Sequence, residues 1–275
     1  MFRSYLSTTI KNRVRLTSTT FRLRPTTTLL KKYSNKQTTM RYLNQKESAE
    51  LDALMMNDEN SLISEQLMEI AGQGCAKVIF HQYPLHSFKR IAIVIGPGHN
   101  GGDGFVCGRI LHQYGYHVEC FVIRRSTNPL LVALEKGCVS HDLPIHHLYD
   151  DSSSFDFKSN FDVVVDAVFG FSFDASRVIR DPYRSILESF ANLQLPIVSL
   201  DVPSGYNVDI DLQQSSASTF FVPDTLISLS SPKICSKSFK GNHYLAGRFV
   251  PSKIAKRFGL DKLPPYKGCS DFIQF

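Results

Sequence analysis

The fold is decided by one stretch of the chain, Ile91-Ala-Ile-Val-Ile-Gly-Pro-Gly-His-Asn-Gly-Gly-Asp-Gly-Phe-Val-Cys-Gly-Arg-Ile110. It begins with an apolar run that does not alternate, as expected of a parallel strand covered on both faces. Five glycines follow, at positions 96, 98, 101, 102 and 104. Glycine tolerates positive φ and lets the backbone approach a ligand, and the free N–H groups at the start of a helix attract anions. The stretch therefore predicts a strand, a turn that binds a phosphate or diphosphate, and a helix.

The glycine pattern alone is weak evidence for a ligand. Residues Gly96 to Gly101 satisfy G-x-G-x-x-G, but a tight turn that only lets a helix pack on a sheet has the same glycines. Asn100 and Asp103 favour a ligand site, because a simple turn needs neither an amide nor a carboxylate there. The helix is predicted to end at Gly115, a residue suited to the position after a helix.

The rest of the chain alternates between strand and helix patterns. We predict strands at about 90–95, 117–123, 144–148, 161–168, 196–201 and 225–230, and helices at about 104–114, 127–139 and 181–192. Asn44 and Glu47 have the spacing of a capping box for a helix that ends near Met56, and Ser64 is predicted to cap a second helix. This alternation predicts an α/β fold, a Rossmann-like three-layer αβα sandwich with a mostly parallel central sheet.

Residues 1–40 differ from the rest in composition. They contain nine Lys and Arg residues and no Asp or Glu, since the first acid of the chain is Glu47. A basic, hydroxyl-rich leader without an apolar core is typical of a mitochondrial transit peptide, and a disordered basic tail is the alternative. The first interpretation predicts a mitochondrial protein, with a cytoplasmic pool left open. Residues 41–275 are long enough for one large α/β domain.

The charge of that domain excludes one class of partner. The whole chain carries +6, and subtracting the nine leader cations leaves −3 on residues 41–275. A nucleic-acid-binding domain is therefore not indicated. No apolar stretch approaches the roughly 18 residues that span a bilayer, so no membrane segment is expected. The six cysteines lack C-x-x-C pairing and are predicted to be buried apolar side chains in a reducing compartment.

Two carboxylates lie at or near the carboxyl ends of two further predicted apolar strands. Asp166 lies in the run 161–168, and Asp201 directly follows Leu195-Pro-Ile-Val-Ser-Leu200. Parallel strands end at one edge of the sheet, where open α/β sheets bind their ligands. The sequence therefore predicts a ligand crevice that contains Asn100, Asp103, Asp166 and Asp201.

Five separated segments resemble the NAD(P)H-hydrate epimerase family, also called apolipoprotein A-I-binding protein in animals and the YjeF N-terminal domain in bacteria. They are GPGHNGGDG (96–104), VVDAVFGFSF (164–173), SLDVPSG (199–205), DTLISLSSPK (224–233) and HYLAGRFVP (243–251). The resemblance extends over about residues 41–275. It implies an isomerase that interconverts the R and S epimers of hydrated NADH and NADPH, called NADHX and NADPHX, at C6 of the nicotinamide ring. This is metabolite repair, which feeds an S-specific dehydratase.

The resemblance also implies roles for individual residues. Asp201 matches the aspartate of the D-x-P-S-G motif and is the candidate catalytic residue, although a turn-forming Asp is the alternative. The candidate potassium ligands are Asn100, Asp166 and Ser204. The candidate substrate contacts, besides Asp201, are His99, Asn100, Gly101, Gly102, Asp103, Gly170, Phe171, Ser172, Phe173, Asp174, Ala175 and Ser176. His99 replaces a common Asn, and the loop at 174–180 is longer and lacks a glycine, which puts its contacts in doubt.

The chemistry of C6 explains the need for a carboxyl group. This carbon bears a hydroxyl and is bonded to the ring nitrogen, so it becomes planar by losing the hydroxyl to give an iminium ion or by ring opening to an aldehyde. Both routes need a group that donates and recovers a proton. A carboxylate would also stabilise an iminium charge.

Two other functions stay open at this point. A nicotinamide-dependent oxidoreductase would use the same glycine turn, but the acid of the second strand, Glu119, lies too early to hold a ribose. A noncatalytic nucleotide- or protein-binding module of the same fold is the other alternative. The family implies a homodimer, and since the chain ends soon after Gly268 we expect the NAD(P)H-hydrate dehydratase to be a separate chain.

Overall fold

The computed structural model describes residues 40–57, 62–149, 156–214 and 220–275. The predicted transit peptide lies, apart from Met40, outside these ranges, so it stays a prediction. None of the helices within the described ranges is long and apolar enough to cross a membrane.

The centre of the fold is one eight-stranded sheet. Its strands are β1 (Arg90–Ile95), β2 (His117–Val122), β3 (Ile145–His147), β4 (Val163–Ala167), β5 (Ile197–Leu200), β6 (Thr225–Leu229), β7 (Asn242–Ala246) and β8 (Phe272–Gln274). The spatial order is β3-β2-β1-β4-β5-β6-β7-β8, and every neighbouring pair is parallel except β7 and β8. The strand order reverses direction between β1 and β4, which is where open α/β sheets form a ligand crevice.

Helices cover both faces of this sheet. They are α1 (Gln45–Met55), α2 (Ser64–Gln82), α3 (His99–Gln113), α4 (Pro129–Ser140), α5 (Phe157–Asn160), α6 (Tyr183–Phe190) and α7 (Ser252–Arg257), with short 3-10 turns at Leu212–Gln214, Ile234–Ser236 and Leu260–Lys262. Alternate residues of β1 point to opposite faces, because Ile91 and Ile93 pack with α2 and α3, whereas Ala92 and Val94 pack with α5 and α6. The predicted three-layer αβα sandwich is confirmed.

The structure corrects the predicted backbone conformation of the glycine turn and the predicted start of the helix after it. Helix α3 begins at His99, five residues before the predicted start, so three of the five glycines lie inside it. Among the described glycines, positive φ occurs at 115, 205, 247, 259 and 268 and at none of the five. A Cβ on Gly101 would lie 2.0 Å from the Gly96 carbonyl oxygen, and one on Gly104 would lie 2.6 Å from the Ala167 Cβ. These glycines are needed because the helix packs tightly against its own turn and the sheet.

Of the other local predictions, several are confirmed and two are wrong. Asn44 and Glu47 form the predicted capping box of α1, and Gly115 follows α3 with a φ of 98°. Five cysteines are buried as predicted, and Cys269 is exposed. Ser64 is the first residue of α2 and does not cap it, since the N-cap is Ile63. The strands β7 and β8 were not predicted.

Candidate active site

One cavity lies over the carboxyl ends of β1, β4, β5 and β6. Helix α1 and the first turns of α2 and α3 form its other walls. Its lining residues are Asp52, Met55, Met56, Ser64, Leu67, Met68, Ala71, His99, Asn100, Asp103, Gly170, Phe171, Ser172, Asp201, Leu229, Ser230, Lys233 and Phe249. Apolar side chains and a few charged groups share this lining, which is the usual composition of a small-molecule site.

Asp201 is held in place by three different segments. Its backbone has a φ of 63°, a left-handed conformation that is uncommon for residues other than glycine and tolerated best by Asn and Asp. Its N–H donates to the carbonyl of Ile227 at 2.7 Å, and one carboxylate oxygen, Oδ2, accepts from the N–H of Phe171 at 2.8 Å. The other, Oδ1, forms an ion pair with Lys233. Strained backbone that is fixed in this way is frequent at functional sites.

Lys233 is a buried cation that the sequence analysis did not assign. Its side chain is 2% exposed, and its ammonium donates to Asp201 and, at 2.6 Å, to the carbonyl of Leu229. The ammonium also lies 5.4 Å from the centroid of the Phe171 ring. A buried charge is costly unless it is paired and hydrogen-bonded, and both conditions are met here. The sequence did contain a signal for this residue, because Lys233 follows β6 as Asp201 follows β5, and Asp201 was assigned to the crevice from that position.

Two further carboxyl groups line the cavity close to this ion pair. Burial raises the pKa of Asp52 to about 6, with Lys233 opposing the shift and Asp201 adding to it. Burial, Asp201 and Asp52 raise the pKa of Asp103 well above its ordinary value. Asp52 was missed because only the tertiary fold brings α1 to the strand ends. The cavity therefore contains an ion-paired carboxylate and two carboxyl groups whose pKa values are raised by burial.

The three predicted potassium ligands belong to neighbouring strand ends, since Asn100 follows β1, Asp166 lies near the end of β4 and Ser204 follows β5. Asp166 is fully buried, and its carboxylate accepts four hydrogen bonds, two from Ser204 (N at 2.9 Å, Oγ at 2.5 Å), one from Ser199 Oγ at 2.8 Å and one from the N–H of Val168 at 3.2 Å. Asn100 is 6% exposed, and neither its amide nitrogen nor its amide oxygen has a hydrogen-bond partner. An unsatisfied buried amide calls for an explanation, and a bound ligand or ion is one.

The predicted substrate contacts divide into three groups. His99, Asn100, Asp103, Gly170, Phe171, Ser172 and Asp201 line the cavity. Gly101 and Gly102 lie behind it in the first turn of α3, where a Cβ on Gly102 would be 2.3 Å from the Met68 sulfur.

The remaining four, Phe173 to Ser176, do not line the cavity. Phe173 stacks on Phe169 with ring centroids 4.4 Å apart. The exposed carboxylate of Asp174 accepts hydrogen bonds from Ser176 Oγ at 2.6 Å and Arg177 Nε at 3.1 Å. The extra residues of this loop are thus stabilised by local contacts, and a role of residues 173–176 in substrate binding stays a prediction.

Comparison with known proteins identifies the family of the chain. The family model described as YjeF-related protein N-terminus matches residues 64–235, which include Asn100, Asp201 and Lys233. The NAD(P)H-hydrate epimerase of Dictyostelium discoideum is 38% identical over 235 residues, covering 85% of this chain and 96% of that protein. The enzyme of that name from Entamoeba histolytica is 41% identical over 230 residues, covering 83% and 96%.

A solved structure has the same fold as this chain. The crystal structure of yeast ynu0 matches with a TM-score of 0.78 and 31% identity, covering 86% of this chain and all of that chain. Similarity on this scale, in sequence and in fold, extends over nearly the whole described part of the protein. The chain therefore belongs to the YjeF-related N-terminal family, to which the NAD(P)H-hydrate epimerases belong.

Proposed function

We propose that the protein is an NAD(P)H-hydrate epimerase, an isomerase that interconverts the R and S forms of NADHX and NADPHX at C6 of the nicotinamide ring. The observation that carries this proposal is the buried Asp201–Lys233 ion pair in a cavity that also holds the carboxyl groups of Asp52 and Asp103. Two relatives that this chain matches over 96% of their length are named NAD(P)H-hydrate epimerase. The set of acid and base groups favours a catalyst over a noncatalytic binding module of the same fold.

The cavity provides what inversion at a carbinolamine carbon requires. Loss of the C6 hydroxyl leaves a positive charge shared between C6 and the ring nitrogen. The Asp201 carboxylate is fixed by Lys233 and by the N–H of Phe171, so it is already oriented to stabilise that charge without reorganising. It also accepts a proton from the water that adds back to C6. Addition to one face gives the R epimer and addition to the other gives the S epimer.

Apolar side chains account for the rest of the lining. Met55, Leu67, Met68, Phe171 and Leu229 surround the charged groups. The carbon skeleton of the hydrated nicotinamide, a tetrahydropyridine ring, suits such apolar walls, and the low polarity strengthens the attraction between a carboxylate and a cationic ring. The strand ends beside the first turn of α3 lie where the diphosphate of a dinucleotide binds in folds of this topology.

A potassium ion is part of the proposal. Asn100 fits it, because its buried amide oxygen has no partner, and Asp166 and Ser204 supply further hard oxygens. One carboxylate among neutral oxygens suits a monovalent ion better than a divalent one. When the ion binds, the Asp166 carboxylate would lose one of its hydrogen bonds from Ser204 and contact the ion instead. A cation here would offset the negative charge of Asp166, Asp201 and the substrate's diphosphate.

The cellular setting belongs to the same proposal. We propose a mitochondrial enzyme, with a cytoplasmic pool left open, on the basis of the acid-free leader. We also propose that it acts as a homodimer and that its functional partner is a separate NAD(P)H-hydrate dehydratase, which removes the S epimer. No nucleic acid or membrane partner is proposed.

The experiment uses isolated (R)-NADPHX and the full-length protein. Chromatography follows the appearance of the S epimer, with a protein-free sample to measure spontaneous conversion and Asp201→Asn as the matched variant. We expect conversion by the parent protein well above the protein-free rate and a large loss in Asp201→Asn. A folded parent that leaves the R epimer unchanged, with and without potassium chloride, would refute the proposed function.

A further inference from the structure

Helix α1 forms a fixed wall of the cavity. The Gln45 side-chain amide donates to the carbonyls of Phe171 at 2.9 Å and Phe173 at 3.0 Å, and the Gln45 N–H donates to Asp209 at 2.6 Å. Leu51 and Met55 bury the helix against the core. The helix is therefore attached both to the loop that orients Asp201 and to the core, so its cavity-facing residues have defined positions.

Asp52 is the charged residue that this wall presents to the cavity. Its Oδ1 accepts a hydrogen bond from Ser230 Oγ at 3.2 Å, at the end of β6. The nearby Lys233 ammonium donates instead to Asp201 and Leu229. Asp52 is thus within the field of the ion pair, and its carboxyl is left available to a molecule in the cavity.

The groups that face Asp52 come from three segments. Lys233 and Ser230 follow β6, Asp201 follows β5, and His99 and Asp103 belong to the first turn of α3. The neighbouring acid on α1, Glu50, is ion-paired with Arg257 of α7 and is 46% exposed. It therefore provides a control carboxylate on the same helix.

We infer that Asp52 is the acid that protonates the departing C6 hydroxyl of the bound hydrate. This inference rests on the proposed function. The Asp52 proton moves to the hydroxyl oxygen, the C6–O bond breaks, and its electron pair leaves with the oxygen as water. The lone pair of the ring nitrogen forms the C6=N bond of the iminium ion. When water adds to either face of C6, its proton returns to Asp52 or passes to Asp201.

The two acids are suited to different halves of this reaction. The Asp201 carboxylate is ion-paired to Lys233, so it can accept a proton or attract a positive charge but has no proton to donate. Burial raises the pKa of Asp52 to about 6, so part of the Asp52 population is protonated near neutral pH. A general acid works best when its pKa lies near the working pH. Burial, Asp201 and Asp52 raise the pKa of Asp103 well above its ordinary value, so this carboxyl holds its proton more firmly than an exposed one does.

The test compares the pH profiles of kcat for (R)-NADPHX conversion by the full-length parent, Asp52→Asn and Glu50→Gln. In the parent, kcat should fall as the pH rises through the pKa of the Asp52 carboxyl. In Asp52→Asn, kcat should drop about 100- to 10,000-fold, this pH dependence should disappear, and KM should change little. Glu50→Gln should match the parent.

A second variant separates the acid from a structural role. The Ser230 hydrogen bond lowers the pKa of Asp52, so Ser230→Ala should move the falling limb of kcat to higher pH while leaving the carboxyl in place. An active parent together with an Asp52→Asn protein that keeps its kcat and its pH limb would overturn the inference and leave the epimerase function intact. A folded parent that does not convert the substrate would overturn both.

Discussion

The buried ion pair of the cavity makes Lys233→Met an informative stability variant. The Lys233 and Asp201 side chains are 2% and 6% exposed. Removing one partner of such a pair leaves the other charge buried and costs about 3–5 kcal/mol. Methionine fills a similar volume, so the loss should come from the charge rather than from a cavity. Asp201 would keep the hydrogen bond from the Phe171 N–H at 2.8 Å, which places the expected cost near the lower end of that range.

Urea unfolding of the full-length protein at pH 7 measures this cost. We expect the free energy of unfolding of Lys233→Met to fall by about 3 kcal/mol relative to the parent. The double variant Lys233→Met/Asp201→Asn should recover a substantial part of the loss, because the change at Asp201 removes the carboxylate that Lys233→Met leaves unpaired. A Lys233→Met protein within about 0.5 kcal/mol of the parent, the usual range for a surface substitution, would refute the reasoning.

Three further predictions concern other parts of the site. Burial raises the pKa of Asp52 from its ordinary 3.8 to about 6, so the folded state binds this proton more tightly, and stability falls as the pH rises from about 4 to 6. Asp52→Asn should remove up to about 3 kcal/mol of that loss at pH 7, seen as a flatter plot of unfolding free energy against pH. Gly101→Ala places a Cβ 2.0 Å from the Gly96 carbonyl and should cost about 1–3 kcal/mol, whereas Gly137→Ala in α4, with open space around its Cβ, should stabilise by about 0.5–1 kcal/mol in the same unfolding assay. Potassium chloride should raise the thermal unfolding temperature of the parent more than lithium chloride does, and Asn100→Ala should abolish the difference, while an equal effect of both salts on the parent would argue against a potassium site.

The architecture was largely predictable because it depends on hydrophobic pattern. Apolar runs indicated most of the strands β1 to β6, and the helix patterns between several of them implied parallel pairing. The strand β7 was missed because Asn242–Ala246 begins with two polar residues and is not an apolar run, and β8 was missed because Phe272–Gln274 has only three residues. Parallel strands end at one edge of the sheet, so Asp166 and Asp201 could be placed at a common crevice from the sequence.

The details of the site depended on tertiary contacts. The start of α3 was misplaced because glycine is a poor helix former in isolation, and only close packing against Gly96 and Ala167 explains its use there. Asp52 belongs to a helix distant in sequence, and no local pattern distinguishes it from an ordinary exposed acid. Lys233 follows β6 as Asp201 follows β5, so its position at the crevice was predictable, but its pairing with Asp201 was not.

The most direct test of the account is the conversion of isolated (R)-NADPHX to the S epimer by the full-length parent and by Asp201→Asn. Both proteins must first show the same circular dichroism spectrum, so that a lost activity is not a lost fold. The account predicts rapid conversion by the parent and a rate for Asp201→Asn that approaches the protein-free sample. Equal conversion by both proteins would contradict the role of Asp201, and no conversion by the parent would contradict the epimerase itself.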